Sequence, residues 1–173
     1  NPLKAINEAA AIELFHNFTL IHDDIMDEAP MRRGKSSVHK KWDTNIAILS
    51  GDLLYAFVNK ILASSTEQSP EIHLLFQQTA MEVCEGQSLD MEFETSSQVS
   101  QDEYINMIKL KTAVLVGCAL KIGAIIGGAS EVDADLLYNF GVNLGIAFQI
   151  HDDILDVYPD KGVFGIVKNL IKK

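Results

Sequence analysis

The 173-residue sequence contains two cysteines, Cys84 and Cys118, which is too few for a disulfide framework or a zinc set. This fits a reducing cytosol, and a cytoplasmic location is the expectation. Cations are scarce: 14 Lys and Arg stand against 24 Asp and Glu, for a formal charge of −10, so the chain is a poor candidate for binding a nucleic-acid backbone. There are four prolines, and glycines rarely cluster, which leaves room for long helices. Strand-like alternation of apolar and polar residues is rare. The longest apolar run near the middle, Ala113 to Leu120, stops at Lys121. It is well short of the ~20 residues that span a bilayer. No signal-peptide pattern is visible. The start at Asn1-Pro2 rather than Met leads to the expectation that residues precede it.

Apolar residues nevertheless make up 47%, enough for a substantial core in one domain or part of a larger one. Their spacing predicts helices. Ala5 to Asp27 presents a broad apolar surface through Ala9, Ala10, Ile12, Leu14, Phe15, Phe18, Leu20 and Ile21. Pro30 and Gly34 break the pattern, so Glu28 to Trp42 reads as a loop. Thr44 to Ala63 is a second helix, ended by Ser64-Ser65-Thr66. Ser69 followed by Pro70 starts a third, reaching about Glu94. Ser100 and Glu103 form a capping box for a fourth, reaching about Gly127 with a bend near Gly117 or Gly123. A last helix spans Val132 to Val157, ended by Pro159. No linker is visible, and one all-α bundle is the economical architecture.

One internal repeat stands out. Ile21-His22-Asp23-Asp24-Ile25-Met26-Asp27 recurs as Ile150-His151-Asp152-Asp153-Ile154-Leu155-Asp156, identical at six of seven positions and 129 residues apart. Helix spacing puts Asp23 with Asp27, and Asp152 with Asp156, on common faces. Like charges at that spacing cost roughly 0.2–0.5 kcal/mol per pair. Each motif also lies at a helix C-terminus, where the dipole disfavours anions. A compensating cation is implied, and oxygen-only ligands select a hard ion such as Mg²⁺. If the two helices face each other, six aspartates line one cavity, hold several ions and through them a polyphosphate. A solvated acidic helix end would explain one copy but not two. His22 and His151 read as packing or supporting residues more readily than as ligands.

The few basic residues sit close to this device. Arg32-Arg33-Gly34-Lys35 comes directly after the first motif, and two arginines can grip phosphate oxygens, although a solvated loop is the alternative. Lys111-Thr112 interrupts an apolar stretch, with Lys109 two residues earlier. A lysine there needs an anionic partner unless it snorkels to solvent.

Asp-Asp-x-x-Asp with Arg-Arg-Gly, then Lys-Thr, then Phe-Gln-x-x-Asp-Asp-x-x-Asp resembles the trans-isoprenyl diphosphate synthases (polyprenyl synthetases), particularly short-chain farnesyl and geranylgeranyl synthases. These are Asp23 to Asp27, Arg32 to Gly34, Lys111-Thr112, and Phe148 to Asp156, with smaller matches at Gly51-Asp52 and at Gly86-Gln87 with Asp90. The resemblance covers Ala5 to Gly165 and implies an isoprenoid-synthase-type bundle of long, mostly antiparallel helices around a central cavity. It implies a transferase in which an allylic diphosphate ionises, isopentenyl diphosphate attacks the cation, and a proton leaves. By the resemblance, Asp23, Asp27 and Asp152 would be direct Mg²⁺ ligands, with Asp24, Asp153 and Asp156 as nearby ligands or acting through water. Several ions would bridge the motifs and the diphosphate, and Mn²⁺ could substitute. Arg32 and Lys111 would hold the allylic diphosphate, and His16 and Arg33 that of isopentenyl diphosphate. Thr112 and Gln149 would lie near the cation. Phe18, with Thr19, lies just before the first motif and would act as a floor for the growing tail, or else as an ordinary core aromatic. No insertion separates Asp24 from Asp27 beyond two residues, so C15 or C20 products are expected.

The family's Gly-Lys-Arg motif is not found in this chain. After Asp160-Lys161-Gly162-Val163-Phe164-Gly165 the pattern departs from the family's, with Lys161 too early for its usual lysine. The expectation is a single synthase domain over residues 1–173, incomplete at the N-terminus and after about residue 165. The rival readings are a terpene cyclase, which would carry a different second motif, and a non-catalytic partner subunit, which would lose one aspartate motif. The family also implies a homodimer.

Overall fold

A computed structural model describes residues 2–64 and 69–157. The described chain is almost entirely helical: α1 (Ile6–Met26), β1 (Met31–Arg32), β2 (Lys35–Ser36), α2 (Val38–Lys41), α3 (Thr44–Ala63), α4 (Ser69–Phe93), α5 (Gln101–Ile108), α6 (Val114–Gly127) and α7 (Glu131–Val157). A short 3₁₀ turn, Pro2–Ala5, leads into α1. Pro159, the Asp160 to Gly165 pattern, the Ser69 cap and the Asp156 side chain lie outside the described residues. The chain divides into two compact units. One holds Asn1–Leu75 with Ile125–Ala129; the other holds Phe76–Ala124 with the residues from Ser130 on.

In the first unit α1 lies along α3. Ala11 and Phe15, one turn apart on α1, are fully buried, as are Ala47, Val58 and Leu62 on α3. α3 starts where expected because the Asp43 carboxylate accepts from the Ile46 N–H at 2.9 Å, capping the first turn. The Gly51-Asp52 pair has a packing reason. A Cβ at Gly51 would come within 2.2 Å of His22 Nε2, so the imidazole occupies the groove that the missing side chain opens. The ring also lies 3.2 Å from the Ile48 carbonyl oxygen. His22 is thus a packing residue of the α1/α3 contact.

The segment expected to be an unstructured loop contains a small hairpin and one helical turn. Met31 pairs with Ser36 and Arg32 with Lys35, leaving Arg33-Gly34 as a two-residue turn. Both turn residues have positive φ, 52° and 76°, the geometry of a type I′ turn whose twist matches its strands. Strands of two residues are too short to leave a periodic signal.

In the second unit α4 buries Phe76, Ala80 and Val83, α6 buries Val114, Cys118 and Ile122, and α7 buries Ala134 and Val142. The Ser100–Glu103 capping box starts α5 as its sequence predicts, and its hydrogen bonds hold the Glu103 carboxyl below the ordinary value. The expected bend near Gly117 or Gly123 is displaced. Between α5 and α6 the irregularity is a π-helical turn, Lys109–Ala113. Gly117 instead meets Gly141 of α7, where a Cβ would approach the Gly117 Cα to 2.8 Å.

Two helical runs, Thr44–Ala63 and Gln101–Gly127, are long and apolar enough to cross a membrane by length and composition, a test that core helices of soluble proteins also pass.

Gly34 meets nothing within 4 Å that a side chain would hit, so its value lies in its left-handed backbone alone. Gly34→Ala is expected to lower stability by roughly 1–2 kcal/mol. A urea melt checks this.

Candidate functional site

The first aspartate motif occupies the last turn of α1, with Asp27 as its C-cap. Asp27 is exposed, Asp23 half-buried and Asp24 buried. The burial of Asp24 is compensated from the hairpin. Arg32 donates to Asp24 Oδ1 through Nε at 2.9 Å and Nη2 at 2.7 Å, and Nη2 also lies 3.4 Å from Asp23 Oδ2. Burial alone would lower the Arg32 guanidinium. The Asp24 hydrogen bond, with the charges of Asp24, Asp23 and Asp27, raises it above its ordinary value. Arg32 thus offsets part of the negative charge at the acidic helix end. A guanidinium carries five N–H donors, so these contacts orient it without exhausting it.

Arg33, Arg32 and Asp24 line a cavity of about 220 Å³ with Asn17, Ser36 and Ser37 among others. His16 is not among its lining residues; its carbonyl accepts from the Thr19 hydroxyl at 2.8 Å. Phe18 is packed in an aromatic group. Its ring centroid lies 4.8 Å from His22, 5.4 Å from Tyr55 and 5.5 Å from Phe15.

The second unit gathers its own set around the π turn. A Cβ at Gly86 of α4 would lie 2.2 Å from the Lys111 backbone nitrogen. A Cβ at Gly145 of α7 would lie 2.5 Å from the Ala113 Cα. Two glycines thus let neighbouring helices touch the turn backbone to backbone. One helical turn beyond each glycine sits a partner. Asp90 accepts from Lys111 Nζ at 2.5 Å, and Gln149 accepts the Thr112 hydroxyl through Oε1 at 2.9 Å. Asp90 is the anion the embedded lysine requires, and the match of Gly86 with Asp90 gains a physical reason.

Gln149 in turn donates from Nε2 to Asp153 Oδ1 at 2.8 Å. Tyr104 of α5 donates to Asp153 Oδ2 at 2.5 Å. Burial first, then the hydrogen bond to Asp153 and its charge, push the Tyr104 phenol up to about 12, so it stays protonated as a donor. Asp152 and His151 are exposed. Tyr104 is the residue that sequence reasoning missed. Its only signal was a polar tip eight residues before Thr112 in an otherwise amphipathic helix.

In both copies, therefore, the second aspartate is tied by protein donors. Among the described residues, no three acidic, His or Cys side chains form a ready metal cage. The donor chemistry still fits Mg²⁺, which binds through one or two carboxylates plus substrate phosphates rather than in an all-protein cage. Asp23 and Asp27 offer such carboxylates, and Asp152 offers another.

A family model described as polyprenyl synthetase matches residues 1–169. A geranylgeranyl diphosphate synthase of Methanosarcina mazei is 48% identical over 164 residues, 92% of this chain and 50% of that enzyme. A short chain isoprenyl diphosphate synthase of Methanothermobacter thermautotrophicus is 46% identical over 167 residues, 95% of this chain and 51% of that enzyme. The crystal structure of a geranylgeranyl pyrophosphate synthetase from Pyrococcus horikoshii superposes with a TM-score of 0.89 at 45% identity, over 92% of this chain and 50% of that one. The chain spans about half the length of the curated relatives it matches.

Asp24→Ala would leave the half-buried Arg32 without its main partner. It is expected to cost about 1–3 kcal/mol, the scale of a hydrogen bond to a charged group. The exposed Asp27→Ala is expected to stay within about 0.5 kcal/mol. Their urea midpoints, compared with the parent protein, check both.

Proposed function

The chain belongs to the polyprenyl synthetase family, and on that premise we propose that it carries out prenyl elongation, joining an allylic diphosphate to isopentenyl diphosphate and releasing pyrophosphate and a C15–C20 prenyl diphosphate. The observation that carries this reading is the aspartate motif present twice, at the ends of two long helices. We take both compact units as parts of one synthase domain.

Asp23, Asp27 and Asp152 would hold Mg²⁺, with Asp156 by its place in the repeat. Mn²⁺ is the natural substitute. When bound, the metal supplies positive charge where negative charge accumulates on the departing pyrophosphate. Asp24 and Asp153 have their oxygens turned to Arg32, and to Tyr104 and Gln149, and act from behind the other aspartates. Arg32 and Lys111 bind the allylic diphosphate. An ammonium has three donors, so the Asp90 contact and a diphosphate contact are compatible. The allylic carbon–oxygen bond breaks with its electron pair leaving on pyrophosphate. The double bond of isopentenyl diphosphate then forms the new carbon–carbon bond, and a proton departs to the released pyrophosphate. His16 and Arg33 hold the isopentenyl diphosphate, with Arg33 supported by its place at the cavity. Thr112 and Gln149 place neutral oxygens near the cation. Phe18 limits the tail, with Thr19 beside it. Charged, water-soluble substrates suit a cytoplasmic enzyme.

We also propose a homodimer. Ile46, Leu49, Leu53 and Phe57 are exposed at helical spacing along α3, Leu53 at 71%, and a second copy would cover that stripe. Leu53→Glu is then expected to halve the mass seen by light scattering. An unchanged mass rejects this face.

The deciding experiment incubates the full-length protein with isopentenyl diphosphate and dimethylallyl, geranyl or farnesyl diphosphate, with and without Mg²⁺, and reads products by mass spectrometry. Mg²⁺-dependent C15 or C20 diphosphate is expected. Diphosphate binding without elongation would favour a cyclase or a non-catalytic partner subunit. Asp23→Ala or Asp152→Ala is expected to abolish turnover, and near-native rates in either would reject the metal assignment. Phe18→Ala is expected to lengthen the product; an unchanged distribution removes Phe18 as the floor.

A further inference from the structure

We propose that Tyr104 is a positioning residue for elongation: its phenol holds Asp153 in the orientation that fixes the Gln149 amide, and through that amide it sets the hydroxyl of Thr112. The proposal deepens the elongation reading and rests on it.

The three hydrogen bonds converge on Asp153. Thr112 donates to Gln149, Gln149 donates to Asp153, and Tyr104 donates to Asp153 from the other side. The carboxylate sets this direction. An ionised Asp only accepts, so it requires the NH₂ end of Gln149, which leaves the amide oxygen toward Thr112. The Thr112 hydrogen is then committed to that oxygen. What the hydroxyl can still offer is lone-pair density, the property that stabilises a developing carbocation. A Gln149 turned the other way would present N–H to Thr112 and take up that density instead.

Tyr104 is what keeps the carboxylate at its post. Asp153 adjoins exposed Asp152 in an acidic motif, where like charges repel. With Oδ1 on Gln149 and Oδ2 on Tyr104, the carboxylate has a donor on each oxygen and one rotamer satisfies both. Without the phenol one oxygen is uncommitted and the carboxylate can swing away, taking the Gln149 restraint with it. The first motif uses the same device, with Arg32 on Asp24. There the anchor is itself a cation at the substrate; here a neutral phenol holds the aspartate without adding charge beside the nascent cation.

Tyr104→Phe keeps the ring and removes the hydroxyl. The expected result, measured well below the variant's melting temperature, is a fall in kcat of roughly tenfold, the equivalent of one hydrogen bond, with unchanged KM for isopentenyl diphosphate and unchanged Mg²⁺ affinity by calorimetry. If Tyr104 acts through Gln149 on Thr112, this loss disappears in a Thr112→Val background, because linked residues are not additive. Native kcat in Tyr104→Phe, losses that multiply in the double variant, or weakened Mg²⁺ binding would each overturn the proposal. A readout independent of turnover is hydrogen exchange of the Gln149 side-chain amide by NMR. Tyr104→Phe is expected to accelerate it, and an unchanged rate overturns the proposal. Accelerated exchange in a protein that makes no elongated product would remove the elongation reading while leaving the Tyr104–Gln149 coupling in place.

Discussion

Carboxylates gathered at the C-terminal end of a helix face both their own repulsion and the negative end of the helix dipole. This chain does it twice, and much of its local architecture answers that cost. After α1, the hairpin exists to bring Arg32 back onto Asp24 and Asp23. Its turn needs positive φ at two successive residues, one of them the non-glycine Arg33. Backbone strain of that kind persists where the surroundings over-determine it, and here it presents two arginines within two residues of each other beside the acidic end. At α7 the answer is different, with two neutral donors, Tyr104 and Gln149, holding Asp153.

The same logic separates roles inside each motif. Asp152 is exposed at the end of α7, as Asp27 is at the end of α1, whereas Asp23 is half-buried and lies 3.4 Å from Arg32. The middle one is bound into the protein and orients a neighbour: Arg32 in one copy, Gln149 in the other. A motif that reads as equivalent carboxylates thus has its second aspartate anchored by protein donors in both copies.

Lys111 and Thr112 depend on a second constraint, the close approach of backbones. Gly86 and Gly145 remove the Cβ atoms that would keep α4 and α7 away from the π turn. With those helices in contact, Asp90 and Gln149, each four residues further along, reach the two side chains directly. A π turn widens the helix by one residue and re-aims the side chains beyond it, which is why such turns recur at functional sites. Placing the irregularity at Gly117 or Gly123 rested on glycine's helix-breaking tendency; in the structure Gly117 serves a helix–helix contact instead, and the distortion falls at Lys109–Ala113, where α4 and α7 approach closely.

Most of the fold was legible from the sequence. Thr44–Ala63 is bounded by a cap at Asp43, α5 by the Ser100–Glu103 box, and α1 and α7 by their apolar spacing, all signals carried by residues within a turn or two of one another. The repeated motif, Arg32-Arg33 and Lys111-Thr112 stood out because charged groups are conspicuous, the arginines directly after the first motif and the lysine inside an apolar stretch, whereas Gln149 came only with the family resemblance. What could not be read was who holds whom. Tyr104 meets Asp153 across 49 residues, Thr112 meets Gln149 across 37 and Lys111 meets Asp90 across 21. Propensity and periodicity act over neighbouring residues and so determine helices and the identity of the reactive groups. Side-chain pairing across such separations depends on how helices pack, and only the tertiary structure decided which aspartates are anchored, where the helix distorts, and that a tyrosine outside every motif holds Asp153.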